Sequence, residues 1–435
     1  MRLPVVVVGA GACGLVAALA ARDAGVLVLE RDASPSGSTA LSSGFIPASF
    51  TRFQRAAGVS DSPAQMAADI QRKNHDEAEP RIVQAVCEAS GRTIEWLADA
   101  HGVPFELVQG FLYPGHSALR MHAVPEKTGA ALMAALLRAC SASGVDILCS
   151  ATVTEVMPDA VRFRRPDGAL EEVEYDALVL ACSGFGGNKA MVREHLPDIA
   201  NGLYFGHAGN QGDAVRWGTA LGASVKHMGA YQGHGSVATP HGILITWALM
   251  MEGGIQVNAQ GERFSNEHLG YSEQCLPVLA QPGGFAWCIY DERLHQLGMT
   301  FPDYREAQAA GAVRPAPDLP LLPETLSRVA AYADGEKDPF GRDFTGKPKL
   351  EAPYYAIKVT GALFHTQGGL AIDERARVLD AAGRPLPKLF AGGGAACGVS
   401  GAHVWGYLSG NGLLSAVTLG RIAGEEAMRL LRRSC

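Results

Sequence analysis

Residues 5–30 read Val5-Val6-Val7-Val8, then Gly9-Ala10-Gly11-Ala12-Cys13-Gly14, then an alanine-rich run to Ala24, then Gly25 and Val26-Leu27-Val28-Leu29-Glu30. Four β-branched residues in succession predict a short buried strand. Gly9, Gly11 and Gly14 follow at the spacing G-x-G-x-x-G. The first suits a tight turn, the second lets a pyrophosphate approach the backbone, and the third lets the next helix pack on the sheet. A helix over 15–24 would aim its N-terminal amides at the phosphates. Gly25 ends that helix and 26–29 forms a second strand. Glu30 then stands 21 residues after Gly9, where an acid takes the ribose hydroxyls. Strand, glycines, helix, strand and acid in this order predict a dinucleotide site. Arg22-Asp23 occupies the place of a signal-peptide cleavage site, so this start reads as structure rather than as an export signal.

Working outward, 435 residues exceed one ordinary hydrophobic core and predict two domains. A net charge of −7 with no basic run argues against a nucleic-acid surface. No apolar stretch reaches bilayer-spanning length, so no membrane partner is expected. The 9 cysteines are scattered without C-x-x-C, haem or cluster spacing. They suggest a reducing, cytoplasmic setting and no metal centre.

After Glu30 and Arg31, the small-residue loop 36–44 offers hydroxyls and amides at a density that can wrap phosphate or a ring edge. Helical periodicity runs through 60–100 and is clearest over 92–100, where His101-Gly102 stops it. A further helix is expected over 129–141, a hairpin over 161–175 about Pro166-Asp167-Gly168, and a buried strand over 177–182 ending in Ser183-Gly184. Gly212-Asp213 opens a helix to Leu221. From 226 to 354 the strand–glycine–helix rhythm is lost, and 312–323 is proline-rich and expected on the surface. Strand character returns near Tyr354, and a closing helix is expected over 413–429.

These segments together resemble the flavoprotein family of fumarate reductases and succinate dehydrogenases, which also holds 3-ketosteroid and tricarballylate-type dehydrogenases. The resemblance is carried by 9–14, 37–44, Gly115-His116-Ser117 with Arg120 and His122, and 182–187. It continues through Gly253-Gly254 to Asn258, Gly261-Glu262-Arg263-Phe264-Ser265-Asn266-Glu267, His365-Thr366-Gln367-Gly368-Gly369 and Ala391-Gly392-Gly393. It implies an α/β fold: a Rossmann-like FAD-binding domain split into 1–225 and 355–435, with an inserted α+β capping domain over 226–354. It implies FAD, held without a covalent link because 39–43 contains no histidine. The cofactor is expected against Gly9, Gly11, Ala12, Cys13, Gly14, Glu30, Arg31, Ser38, Thr39, Ser42, Ser43, Gly44, Val153, Ala181, Cys182, Ser183, Gly184, Gly392, Gly393, Asn411, Leu413 and Leu414.

The chemistry implied is hydride transfer between the flavin N5 and a carbon–carbon bond beside a carbonyl. Donors must polarise that carbonyl and another group must move the α proton. By resemblance Arg263 is the proton donor and His365 a substrate-binding histidine, with His234 and Thr246 as further contacts and Tyr407 as base or ketone-polarising hydroxyl. Trp247 stands where a fumarate reductase carries its relay glutamate. The second carboxylate-gripping arginine before the last helix is missing, so a dicarboxylate would lose its bidentate anchor. The expectation is desaturation or reduction of a small-molecule carbonyl substrate such as a cyclic ketone, ketosteroid-like compound or enoate, with a separate electron acceptor or donor. The alternatives are a fumarate reductase-like reductase of unsaturated (di)carboxylates, with Arg120 supplying the missing arginine, and a flavin-binding module without catalysis.

Overall fold

A computed structural model describes residues 2–434. The strand Arg2–Val8 pairs in parallel with Val26–Leu29 on one side and Leu170–Leu180 on the other. Asp146–Leu148 and Pro385–Ala391 extend the parallel sheet outward, and Arg377–Leu379 closes one edge antiparallel. Residues 5–8 are buried because helices cover the sheet, as unbroken apolar runs in parallel strands require. The helix Ala12–Ala21 starts directly after the glycine turn, with Gly11 as its extended N-cap, and a short 3-10 turn Arg22–Ala24 follows. The closing helix Asn411–Ser434 lies against Ala12–Ala21. The two backbones come close at Gly420 and Gly424, where a Cβ would strike the carbonyls of Cys13 and Ala17.

Some elements are longer than the local pattern implies. The hairpin expected over 161–175 and the strand expected over 177–182 share one continuous strand, Leu170–Leu180, paired antiparallel with Ala160–Arg164 and parallel with Arg2–Val8. Its outer half alternates exposed and buried positions and its inner half is buried throughout. The period therefore changes midway because the packing on its faces changes. The helix at 92–100 lies in the second half of Pro80–His101, ended by Gly102 in the left-handed region (φ 66°). Loop 36–44 contains one helical turn, Gly37–Ala40. Within 312–323, Arg314–Pro315 pairs with a longer strand and Leu322 opens the helix Leu322–Ala333.

A second sheet is built on the strand Tyr354–Thr366. Tyr231–Ala238 pairs antiparallel with it on one side and Phe285–Asp291 on the other, with Ile243–Leu244 and Ile255–Val257 at the edges. Leu203–Tyr204 joins it in parallel. A register shift sits between Gln232 and Gly233, beside the cross-strand pair Gln232 and His365. Such bulges re-aim side chains. His234 and His365 are thereby carried on adjacent strands of this sheet. Among the described residues no helix is long and apolar enough to cross a membrane, and no group of three or more His, Cys, Asp or Glu could hold a metal ion.

Candidate active site

The parallel sheet opens at its C-terminal edge into a long cleft. Gly9, Gly11, Ala12, Cys13, Glu30, Arg31, Ser38, Thr39, Val153, Ala181, Cys182, Ser183 and Gly393 line it. Gly9 turns with φ 100°, and Gly14 lies on the Gly9 carbonyl, where a Cβ has no room. Glu30 is buried, with its two carboxylate oxygens accepting from the amides of Ala10 (2.7 Å) and Asp32 (2.9 Å). Arg31 donates to the Gly209 carbonyl (2.6 Å) and the Asp213 carboxylate (2.7 Å). These bonds hold the strand end and its acid at the glycine turn.

Three features fit an FAD here. A Cβ at Gly11 would touch only Thr39 Oγ1, so the cradle is open above the helix N-terminus. Trp217 Nε1 and Ser415 Oγ are buried at the cavity walls with no protein partner. A middle cavity links the cleft, through Ser38, Thr39, Ser183 and Gly393, to a third cavity that shares Ser38, Ser42, His365 and Leu413 with it. The three cavities thus share walls from the glycine turn to the start of the closing helix, whose N-terminal amides favour negative charge. Ser43 and Gly44 line the third cavity. Gly14, Gly184, Gly392, Asn411 and Leu414 line none of the three. A side chain on Gly184 would meet Thr366 and one on Gly392 would meet Cys13, while Leu414 sits in the core. These positions shape the walls.

The third cavity is largely aromatic and aliphatic, with Phe45, Phe205, Phe301, Phe364, Trp247 and Ile245 among its walls. His234 stacks on Tyr271 at 4.6 Å between ring centroids and meets Trp247 edge-on at 5.8 Å. Its Nδ1 accepts from the Ser236 amide (3.1 Å), and burial lowers its pKa to about 3. His365 meets Tyr407 edge-on at 5.6 Å, and burial lowers its pKa to about 4. Both imidazoles are therefore neutral near pH 7. The rings of Tyr271 and Tyr407 lie 6.1 Å apart, and the Gly412 amide donates to the Tyr407 hydroxyl (3.3 Å). Burial raises the Tyr271 phenol to about 12, with Ser409, Tyr407 and the Gly410 backbone pulling the other way. Burial also holds Tyr407 well above its ordinary value. Neutral N–H and O–H donors facing one dry cavity can stabilise an oxygen that gains negative charge, and a phenol can exchange a proton with a neighbouring carbon.

The structure brings His365, His234, Tyr407 and Thr246 together in this cavity. Thr246 Oγ1 also accepts from the Ala248 amide (3.3 Å), a local turn bond. Arg263 is a correction, since it does not line the cavity. Its guanidinium is bound by Glu267 (2.7 Å) and Asp338 (2.6 Å) and lies beneath the rings of Phe340 and Phe344. Burial opposes its charge, but the two carboxylates outweigh burial and hold the proton more firmly than usual. Arg120 is a second correction. It is fully buried on Asp61 and Asp69, so it is committed to the core and cannot clamp a substrate in the large cavity. Among the residues lining that cavity there is no arginine.

Sequence reasoning missed Tyr271 and Tyr113. Tyr271 follows a glycine and lies eight residues after Arg263, just past the Gly261–Glu267 stretch. The only local signal was its likeness to Gly406-Tyr407, a tyrosine after a glycine with a serine close behind. Tyr113 arrives from a different part of the chain, 6.4 Å from Tyr271 between ring centroids.

The family model described as FAD binding domain matches residues 4–413. The chain is 29% identical over 450 residues to the NADH:fumarate oxidoreductase of Klebsiella pneumoniae (strain 342), covering 98% of this chain and 48% of that protein, so it spans about half of that relative's length. It is 28% identical over 449 residues to the fumarate reductase (cytochrome) of Shewanella frigidimarina, covering 99% of this chain and 78% of the relative. The 3-ketosteroid-Δ4-(5α)-dehydrogenase of Rhodococcus jostii RHA1, solved with 4-androstene-3,17-dione, superposes with a TM-score of 0.78 at 26% identity, over 98% of this chain and 96% of that one.

Proposed function

The chain belongs to the family of FAD binding domain proteins, and from that premise we propose that it is an FAD-dependent oxidoreductase acting on a carbon–carbon bond beside a carbonyl. The substrate is a mid-sized, partly apolar cyclic ketone, a ketosteroid-like compound or an enoate. Bound FAD supplies the hydride acceptor or donor. The cofactor is held without a covalent link, in a reducing, cytoplasmic setting that the free state of the described cysteines supports. The second-sheet lobe forms a cap that closes over the ring and excludes water.

The observation that carries this reading is the convergence of Tyr271 and Tyr407 with two neutral histidines in a cavity whose lining residues include no arginine. His365 Nε2–H, and His234 beside it, polarise the substrate carbonyl. Tyr271 exchanges the proton at the α carbon. Tyr407 and Ser409 support its oxygen as charge develops. Tyr407 holds the Tyr271 oxygen and is itself anchored by the Gly412 amide.

The carboxylate of a fumarate-type substrate would find only Lys127 as a cationic partner among the lining lysines and arginines, which favours the ketone over the dicarboxylate. The test is anaerobic mixing of the FAD-loaded protein with a 3-ketosteroid, a simple cyclic enone and fumarate, starting from oxidised and from chemically reduced flavin. The reading expects the visible flavin band to bleach or return with the ketone or enone. A response to fumarate alone would overturn it.

A further inference from the structure

One polar chain runs behind His365, and of its three further members only Gln367 lines a cavity, the middle one. Asn411, at the first position of the closing helix, is wholly buried, and its Nδ2 donates to Ser400 Oγ at 3.1 Å. Ser400 Oγ donates in turn to Gln367 Oε1 at 2.7 Å. The other end of the same amide, Gln367 Nε2, donates to His365 Nδ1 at 2.8 Å. Each bond decides the direction of the next. A serine whose oxygen accepts from an amide has its proton free to give, and a glutamine whose oxygen is so engaged must present its N–H₂ to the ring. The competing contact of His365 Nδ1, to the Thr366 carbonyl, is 3.4 Å and outweighed.

We propose that Asn411, Ser400 and Gln367 form a one-way hydrogen-bond relay that fixes His365 in the Nε2–H tautomer, so that a donor and never a lone pair faces the substrate oxygen. The proposal rests on the reading of His365 as the group that polarises a carbonyl. The three side chains are positioning residues: none lines the large aromatic cavity, and they act on a substrate there through the imidazole. The other histidine of the cavity reaches the same state by simpler means. The Ser236 amide, a backbone donor with a fixed sense, occupies Nδ1 of His234 at 3.1 Å. Two rings carried on neighbouring strands thus both have Nδ1 filled from behind. With its pKa lowered to about 4 by burial, His365 stays neutral at working pH, so its tautomer rather than its charge decides whether it donates. Gly412 is part of the arrangement, because a Cβ there would press on the Cε1–Nε2 edge that the relay exposes.

The opposite sense is the competing structure. If the Asn411 amide were turned over, Ser400 would donate to it, Gln367 would present its oxygen, and Nδ1–H would leave Nε2 bare. The experiment is nitrogen NMR of histidine-labelled holoenzyme without substrate, the His365 signals being assigned by their loss in His365→Asn. The proposal expects an unprotonated Nδ1 and a protonated Nε2. The reverse pattern overturns it.

Gln367→Met removes the donor and frees Nδ1 to turn toward the Thr366 carbonyl. It should bring a protonated Nδ1 population and slow ketone-driven flavin reduction about tenfold or more, as loss of a donor to a charge-gaining oxygen does. Gln367→Glu should instead raise the His365 titration toward neutrality and put an inflection into a pH–rate profile that is flat in the wild type. An unchanged tautomer in both variants also overturns the relay. A switched tautomer with unchanged turnover supports the relay and removes His365 from the reaction, so the two ideas fail separately.

Discussion

Arg263 and Tyr271 lie eight residues apart and live in opposite surroundings. Arg263 is a buried charge with every need met: Glu267 and Asp338 grip it, Arg342 reaches Glu267 at 3.0 Å, and Phe340 and Phe344 lie over it. Tyr271 is uncharged and faces a cavity, stacked on His234 and pressed toward Tyr407. The charged cluster can do little chemistry because its proton is firmly held and its donors are spent. The tyrosine side keeps groups whose partners lie partly in the cavity, and such groups are free to act on a substrate. An arginine whose donors are all taken is architecture, whereas neutral donors that face a cavity make a site.

Breaking the neutral side should produce the largest effect. Tyr271→Phe and Tyr407→Phe are each expected to slow substrate-driven flavin reduction about 10²- to 10⁴-fold, with thermal unfolding little changed. Stopped-flow anaerobic mixing measures this, and a wild-type rate in both variants would place the chemistry elsewhere. Breaking the ionic side should act on stability instead. Arg263→Ala strips Asp338 of its ion pair and leaves Glu267 with Arg342 alone, and should cost about 3–5 kcal/mol in denaturant unfolding. The fraction that remains folded should turn over at an undiminished rate. A large loss of rate at full stability would restore Arg263 to the reaction.

The buried histidines and the buried carboxylates should also separate by pH. Burial depresses His234 to about 3 and His116, His122, His268 and His365 to about 4. The unfolded chain therefore binds more protons than the native one between about 6.5 and 4, and stability falls as pH is lowered through that window. Glu267 and Asp69 are lowered to about 2, burial opposing and their arginine partners prevailing, with Ser117 adding to the effect at Asp69. Their contribution is intact above the ordinary carboxylate range near 4 and is lost as pH falls toward 2. A melting-temperature profile should decline first in the histidine window, and His234→Asn should shallow that first decline.

The smallest effect is expected at the far end of the cofactor. Glu30→Gln removes the charge from two short amide bonds and should weaken FAD retention by about 1–2 kcal/mol, roughly tenfold. Flavin release followed by fluorescence measures it.

The glycine turn and the two strands around it were legible because their function is written in backbone needs: no Cβ at Gly14, a left-handed turn at Gly9, an acid at the next strand end. Arg263 shows the limit of that reading. Its surrounding stretch was visible, but residue type does not state which way a side chain points, and here it points into Glu267 and Asp338. Tyr271 carried almost no local signal, since its partners come from 113, 234 and 407.

The amino-acid sequence by itself determined the order of strands, glycines and helices, and with it the FAD-binding family, because those needs are local and repeat at short spacing. Only the tertiary structure decided which polar groups share a cavity and which are consumed in ion pairs. That division depends on contacts such as Arg263 with Asp338 and Tyr271 with Tyr113 and Tyr407, which join separate segments, and no periodicity within one segment encodes it.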